Sequence, residues 1–169
     1  MELTTKRLRI TALSLANFSL LLHNPGRMEA ASGPRPSPTP LDAHTHQAMQ
    51  WLYDMAATHP EDHLWYTNWQ ISLNAYNQAI GSACFKGAPN GNGEVELGYG
   101  IDAAHRNNGY MTEAVAALSA WALWQPGVRA VVAETDRDNP ASQRVCQKCG
   151  MNRSGETPGT FLWKLSRKE

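Results

Sequence analysis

The chain has 169 residues, 42% of them hydrophobic, which suits one domain with a core rather than two domains. Fifteen basic residues balance fifteen acidic ones, so the overall charge favours neither nucleic acid nor an anionic membrane as a partner. No stretch approaches the ~20 consecutive apolar residues of a membrane span, and the start MELTTKRLRI lacks the apolar region of a signal peptide. These observations predict a single cytoplasmic domain over residues 1–169, with no nucleic acid or membrane partner.

The first third of the chain predicts one strand, two helices and a long loop. Leu8 and Ile10 flank Arg9 in the alternation typical of a strand. The predicted bounds are Lys6–Ala12 for the strand, Leu13–His23 and Asp42–Ala57 for the helices, and Pro25–Pro40 for the loop. Five prolines lie in this loop, and proline neither continues a helix nor fits inside a sheet. The loop is either a plain connector or a stiff flap that borders a substrate.

The middle of the chain predicts a meander of three strands. Trp65, Trp69 and Ile71 lie on one face of a period-two pattern, which is typical of a half-buried strand. Turn residues at 74–77 and the sequence GAPNGNG separate this run from the next two. The predicted strands are His63–Leu73, Gln78–Phe85 and Glu94–Ile101.

The last part of the chain predicts two helices, each followed by a strand. An apolar stripe ends at Trp124, and Asn139 before Pro140 is the usual cap and first residue of a helix. The predicted elements are a helix to Trp124, a buried parallel strand Val128–Thr135, a helix Asn139–Lys148 and a strand Phe161–Leu165. The element order predicts an α/β fold of the α+β type, with a mixed sheet and helices on both faces.

One turn between a strand and a helix carries the strongest functional signal. The stretch GYGIDAAHRNNGYMTEA, Gly98 to Ala114, leaves a strand, passes through Asn107, Asn108 and Gly109, and enters a helix. Asparagine and glycine tolerate positive φ, and the first turn of a helix offers unpaired N–H groups and a positive dipole end. The turn therefore predicts a site for an anion such as phosphate.

With these residues the sequence resembles the GNAT superfamily of acetyl-CoA-dependent N-acetyltransferases, whose signature is Gln/Arg-x-x-Gly-x-Gly/Ala between the fourth strand and the third helix. The signature stands here as Arg106, Asn107, Asn108, Gly109, Tyr110 and Met111, and the methionine departs from it. Glu96-Leu97-Gly98-Tyr99 and Asn139-Pro140-Ala141-Ser142 resemble the branch that includes the ribosomal-protein N-terminal acetyltransferases.

The resemblance implies a sheet that splays between the fourth and fifth strands and binds acetyl-CoA in the opening. It implies pantetheine contacts by Tyr99, Gly100, Ile101 and Asn139. The implied pyrophosphate contacts are those of the turn, namely Arg106, Asn107, Asn108, Gly109, Tyr110, Met111 and Thr112. For Met111, only the backbone contact would be kept, with the side chain in the core.

The implied reaction moves the acetyl group to a primary amine of a protein N-terminus or a small molecule. Ammonium has no lone pair to attack a thioester, so a base must remove its proton, and Glu96 is the candidate. Ser142 is the candidate that protonates the departing thiolate. Homodimer formation and the identity of the amine stay open.

Three alternatives compete with this interpretation. A CoA-binding regulatory module would share the fold without catalysis. Cys146-x-x-Cys149 is also compatible with a thiol oxidoreductase, although this pair closes a helix rather than opening one. A nucleotide-binding protein is disfavoured, since neither a Gly-Lys-Ser/Thr motif nor a Gly-x-Gly-x-x-Gly helix start occurs. No metal site is predicted, because the cysteines and six histidines lack a convincing ligand set.

Overall fold

The computed structural model describes residues 1–30 and 34–167. In this part of the chain eight strands and four α-helices form, joined by short 3₁₀ segments. The strands are β1 (Glu2–Thr4), β2 (Leu8–Ala12), β3 (Asn68–Leu73), β4 (Ala79–Phe85), β5 (Glu94–Ile101), β6 (Ala130–Asp136), β7 (Asn152–Glu156) and β8 (Thr160–Ser166). The helices are α1 (Leu15–His23), α2 (Ala43–Thr58), α3 (Tyr110–Trp124) and α4 (Pro140–Lys148).

All eight strands lie in one mixed sheet, in the order β1-β2-β3-β4-β5-β6-β8-β7. The β5–β6 pair is parallel and every other pair is antiparallel. The parallel pairing covers only Glu94–Glu96 against Ala130–Val132. Beyond these residues β5 and β6 no longer pair with each other, although each still pairs with its other neighbour. The predicted splay is thus confirmed, and it falls between the fifth and sixth strands because β1 adds one strand at the N-terminus.

Helices cover both faces of the sheet, as predicted. The larger core joins the sheet to α3 and α4, and the smaller joins it to α1 and α2. Alternation along β4 separates the two layers, since Ala83 and Phe85 belong to the larger core and Cys84 to the smaller. This arrangement leaves one side of β5 facing α3 and α4 and the other facing α1 and α2.

The prediction of a strand from His63 is wrong at its start. Residues Pro60–Trp65 form a 3₁₀ helix, and β3 begins at Asn68. Pro60 pre-sets the first helical φ, and Glu61 and Asp62 favour the positive end of the helix dipole. Trp65 is still packed in the interior, with its ring centroid 5.0 Å from that of Phe85.

The short strands β1 and β7 were not predicted from the sequence. β1 has three residues, too few for a period-two signal, and β7 has the sequence NRSGE without apolar alternation. Gly155, a residue type that weakens the strand signal, lies inside β7. Both strands form because a neighbouring strand supplies hydrogen-bond partners. This pairing depends on the tertiary structure and leaves no pattern in the sequence of the strand itself.

Part of the proline-rich loop is fixed to the sheet. Pro25–Ala30 forms a 3₁₀ helix rather than a loop, and Gly33 lies outside the described residues. Arg35 pairs with the start of β4, because its N–H donates to Asn77 and its C=O accepts from Ala79. We call residues 34–40 the flap. No described helix has the length and apolarity needed to cross a membrane.

Candidate active site

The turn before α3 has the geometry of an anion site. Asn107 and Gly109 have φ values of 62° and 75°, in the left-handed region that asparagine and glycine tolerate best. Asn108 does not use this region; its side-chain amide donates to the carbonyls of the turn. Gly109 is the N-cap of α3, and the N–H groups of the following first turn have no partner within the helix. Met111 is buried in the larger core, as expected if only its backbone faces the ligand.

Arg7, from the segment before β2, braces this turn. Its Nη1 donates to the Asn108 carbonyl at 2.9 Å, and its guanidinium lies 4.6 Å from the centre of the Tyr110 ring. Its Nε donates to Glu113 at 2.7 Å. Burial alone would raise the pKa of Glu113, but hydrogen bonds from Thr5 and Arg7 outweigh it and hold that pKa below its ordinary value. No local sequence signal identified Arg7, which lies about a hundred residues from its partners.

A small cavity of about 180 Å³ opens beside the turn, and we call it the anion cavity. Arg106 lines it together with Arg144 and Lys148 of α4, and none of the described residues that line it is Asp or Glu. His105 also lines it and has a buried Nδ1 without a partner. Cations and unpaired N–H donors fit the phosphate groups of CoA. Arg144 and Lys148 were missed, although their i, i+4 spacing places them on one face of α4.

The backbone of β5 offers hydrogen-bond groups where β5 and β6 separate. The Glu96 carbonyl accepts from the Lys86 N–H at 2.8 Å, so it points toward β4. Backbone groups alternate along the strand, so those of Gly98 and Gly100 also face β4, whereas those of Tyr99 and Ile101 face the opening. Tyr99 and Ile101 thus have backbone groups that are not used by β4, and their contact with pantetheine stays a prediction. The prediction for Gly100 does not fit this geometry, because Gly100 pairs with Ser82 of β4.

Tyr99 and Ser142 join β5 to α4 beyond the end of the β5–β6 pairing. Ser142 Oγ donates to the Tyr99 hydroxyl at 3.0 Å. The same hydroxyl lies 3.2 Å from the Ser142 carbonyl and 3.2 Å from Cys146 Sγ. Burial, and next the hydrogen bond with Cys146, raises the pKa of Tyr99 above its ordinary value. Tyr99 therefore keeps its proton at neutral pH, and the sequence had suggested only a backbone role for it.

Asn139 caps α4, as the sequence predicted. Its Oδ1 accepts from the Ser142 N–H at 3.1 Å, and Pro140 occupies the first turn. The carbonyl oxygen of the side chain is therefore used within the helix cap. Only its exposed amide N–H₂ group is left for the implied contact with pantetheine.

Glu96 lies on the face of β5 opposite Leu97, toward α1 and α2. Its carboxylate forms an ion pair with Lys86, and about a third of its side chain is exposed. Glu94 shares this face by alternation but is bound to Lys164 at 2.6 Å, farther from the opening. The hydrogen bond from Lys164 holds the pKa of Glu94 below its ordinary value.

A second and larger cavity, of about 550 Å³, lies on the α1–α2 side of the sheet. We call it the flap cavity, because residues 36–40 form one of its walls and the start of α2 another. Gln70, Ser82 and Gly100 are register partners on adjacent strands and form part of its floor. Ile101 lines both cavities, so the two meet at the end of β5.

A family model described as an acetyltransferase (GNAT) domain matches residues 7–152, which includes both cavities and the turn. The chain belongs to this family. The resemblance drawn from Arg106–Met111 and the flanking motifs is confirmed, and so is the fold that it implied.

Relatives and solved structures agree with this assignment. The uncharacterized N-acetyltransferase YjdG of Bacillus subtilis is 33% identical over 85 residues, which is half of this chain and 51% of the relative. The ribosomal-protein-S5-alanine acetyltransferase of Vibrio fischeri superposes with a TM-score of 0.72 at 13% identity, over 98% of this chain and 96% of that one. RimL, a ribosomal L7/L12 acetyltransferase solved with CoA, gives 0.69 at 15% identity, over 98% of each chain.

The cysteines of this GNAT domain lack the features of redox catalysts. Burial raises the pKa of Cys146 and raises that of Cys149 to about 11, so both are thiols at neutral pH. Cys84, in the smaller core, also has a pKa raised to about 11 by burial. Reactive cysteines have a lowered pKa, so this chemistry disfavours the oxidoreductase alternative.

Proposed function

We propose that this GNAT protein transfers the acetyl group of acetyl-CoA to a primary amine of a small molecule or a protein N-terminus. The observation that carries the proposal is the position of the anion cavity beside the strand opening, with the flap cavity across β5. A CoA thioester held in the first would have its acyl end near an amine held in the second.

In this proposal the turn and α4 hold the nucleotide end of acetyl-CoA. The first-turn N–H groups of α3 and the cations Arg106, Arg144 and Lys148 would bind phosphate. Tyr99 and Ile101 would pair with the pantetheine amides through their backbone groups, and Asn139 through its amide N–H₂. Fixed donors of this kind position the thioester without reorganisation.

Glu96 is the proposed base and Ser142 the proposed acid. Glu96 lies two residues before Gly98 on the strand face that the flap cavity uses, and it takes the amine proton directly or through water. The Ser142 hydroxyl, hydrogen-bonded to the Tyr99 hydroxyl, gives a proton to the departing thiolate. The Ser142 alkoxide that this transfer would leave regains a proton from water, and Glu96 releases the amine proton to water, so each turnover yields a neutral amide and free thiol while Tyr99 stays protonated.

The proposal is tested by following free thiol released from acetyl-CoA across a panel of amines. A sample whose protein thiols have been blocked serves as the blank. We expect thiol release that depends on both the amine and the protein, together with mass spectrometric detection of the acetylated amine. If CoA binds but no amine in the panel is acetylated, the alternative of a CoA-binding regulatory module is favoured instead.

A further inference from the structure

The flap cavity has the opposite charge to the anion cavity. Asp42 and Asp102 line it, and no Lys or Arg of the described residues does. Asp102 accepts a hydrogen bond from Ser37 of the flap at 2.7 Å, which holds the carboxylate at the cavity wall. An acceptor with a carboxylate would therefore meet like charges here and find no Lys or Arg to pair with among the described lining residues. His46 is the one imidazole among them, and its Nε2 lies 3.0 Å from the Leu22 carbonyl.

Two side chains that line the cavity each carry a buried oxygen without a hydrogen-bond partner. These oxygens are Oδ1 of Asn68 and Oε1 of Gln70, in residues that are 1% and 2% exposed. Both residues belong to β3 and line the flap cavity. In the described part of the chain the amide nitrogen of Gln70 has no partner either, so this amide is free to turn its oxygen toward a ligand. Leaving a buried acceptor unpaired costs free energy, so two such oxygens in one cavity indicate a ligand with donors.

The orientation of the Asn68 amide follows from its neighbour. Its Nδ2 donates to Met49 Sδ at 3.5 Å, and a thioether can accept a hydrogen bond but cannot donate one. The oxygen is therefore the atom turned away from Met49. Ammonium matches this wall, because it carries a positive charge and three donors and has no acceptor to satisfy.

We infer that the flap cavity selects acceptors that carry a second cationic group and no carboxylate. The oxygens of Gln70 and Asn68 hold the second ammonium, and Asp102 contributes negative charge beside them. This inference rests on the proposed function, since it assigns the substrate class of the same site.

The strand geometry gives such an acceptor a direction. Gln70 lies in the row of Gly100, and Asn68 lies in the next row, which contains Cys84 and Gly98. Glu96 is one row farther, or roughly 7 Å beyond Gly98 at the usual rise of about 3.3 Å per residue. The reacting amine thus points toward Glu96 while the second ammonium stays near Gln70 and Asn68.

The test uses three acceptors of similar size that differ at one end. They are 1,4-diaminobutane with a second ammonium, butylamine with a methyl group, and 4-aminobutanoate with a carboxylate. We expect kcat/KM to fall in that order, by at least about tenfold at each step, and calorimetry on the free protein to detect only the diamine. Equal use of the diamine and 4-aminobutanoate, or a diamine no better than butylamine, would overturn the inference.

The variant Gln70→Leu separates ligand recognition from folding. It replaces an unpaired buried oxygen with an apolar group of similar size, so we expect an unfolding temperature no lower than that of the parent. Affinity for 1,4-diaminobutane should fall at least about tenfold, while butylamine kinetics stay within about twofold. Gln147→Leu, at an exposed position of α4, is the matched control. Unchanged diamine affinity in Gln70→Leu contradicts the inference.

Gly100→Ala provides a second variant that should fold. A Cβ at Gly100 meets no atom within 4 Å and would project into the cavity from the row that contains Gln70. Gly159 has the same free space but lies in a distant turn, so it provides the control. We expect Gly100→Ala to raise the KM for the diamine several-fold and Gly159→Ala to leave it unchanged. An unaltered KM in Gly100→Ala counts against the inference. If the parent acetylates no amine, the proposed function fails, yet calorimetry still decides whether the cavity prefers the diamine.

Discussion

At the scale of single residues, Glu96 carries the proposed proton transfer. Replacing it by glutamine removes the basic oxygen and keeps the size, so we expect turnover to fall by about a hundredfold while acetyl-CoA binding is unchanged. Glu94→Gln is the control, because Glu94 shares the face but is bound to Lys164 away from the opening. Rates of Glu96→Gln within about threefold of the parent across pH 6 to 9 would assign the base to another group or to water.

Cys146 of α4 and Cys149, the residue that follows this helix, are predicted to be dispensable for acetyl transfer. Burial keeps Cys146 and Cys149 as thiols, so the variant with serine at both positions should retain amine acetylation within about threefold. Thiol release under saturating amine measures this. If the double variant keeps the parent's unfolding temperature but loses transfer, a cysteine takes part in the acetyl transfer and the prediction is wrong.

At the scale of elements, the start of α3 is held by hydrogen bonds from the segment that joins β1 to β2. Glu113 accepts from Thr5 Oγ1 at 2.6 Å and from Arg7 Nε at 2.7 Å, and its pKa lies below the ordinary value of 4.5. A carboxyl whose folded pKa is lowered stabilises the protein above its unfolded pKa, and this contribution is lost as pH falls through the folded pKa.

Glu113→Gln should therefore lower the free energy of unfolding by on the order of 1 kcal/mol at pH 7, and by progressively less below pH 4.5. Urea unfolding at pH 7 and at pH 3 measures both values, with Asp138→Asn at an exposed position outside the helices and strands as the control. A loss of stability that is the same at both pH values would show that the pairing of the charged form is not responsible.

The flap is the second element with a testable role. Its Arg35 is fixed to β4, and Ser37 bonds Asp102, so the segment is held against the flap cavity. Replacing residues 36–39 by a glycine–serine stretch of equal length removes the stiffness of proline. We expect the KM for the amine to rise several-fold while acetyl-CoA affinity stays within about twofold. Unchanged amine kinetics in the folded variant would make the flap a plain connector.

At the scale of the whole molecule, the features that depend on consecutive residues could be predicted from the sequence, whereas contacts between distant parts of the chain could not. The α3 turn and the Asn139 cap were predictable because each depends on a few consecutive residues. Arg7 was not, because it reaches the turn only after the sheet has formed. Asn68 and Gln70 looked like ordinary polar positions of a strand. Their unpaired oxygens become visible only once the flap and α2 enclose them.

The central claim for the whole molecule is that acetyl-CoA binds where α3 begins and β5 leaves β6. The most direct test is the unfolding temperature with and without acetyl-CoA at a hundred times its dissociation constant. Linkage predicts about 2.7 kcal/mol of stabilisation, which is roughly 5–10 °C for a domain of this size. Arg144→Glu combined with Lys148→Glu should lose most of this shift. An unfolding temperature of the parent protein that saturating acetyl-CoA and CoA leave unchanged would contradict the account.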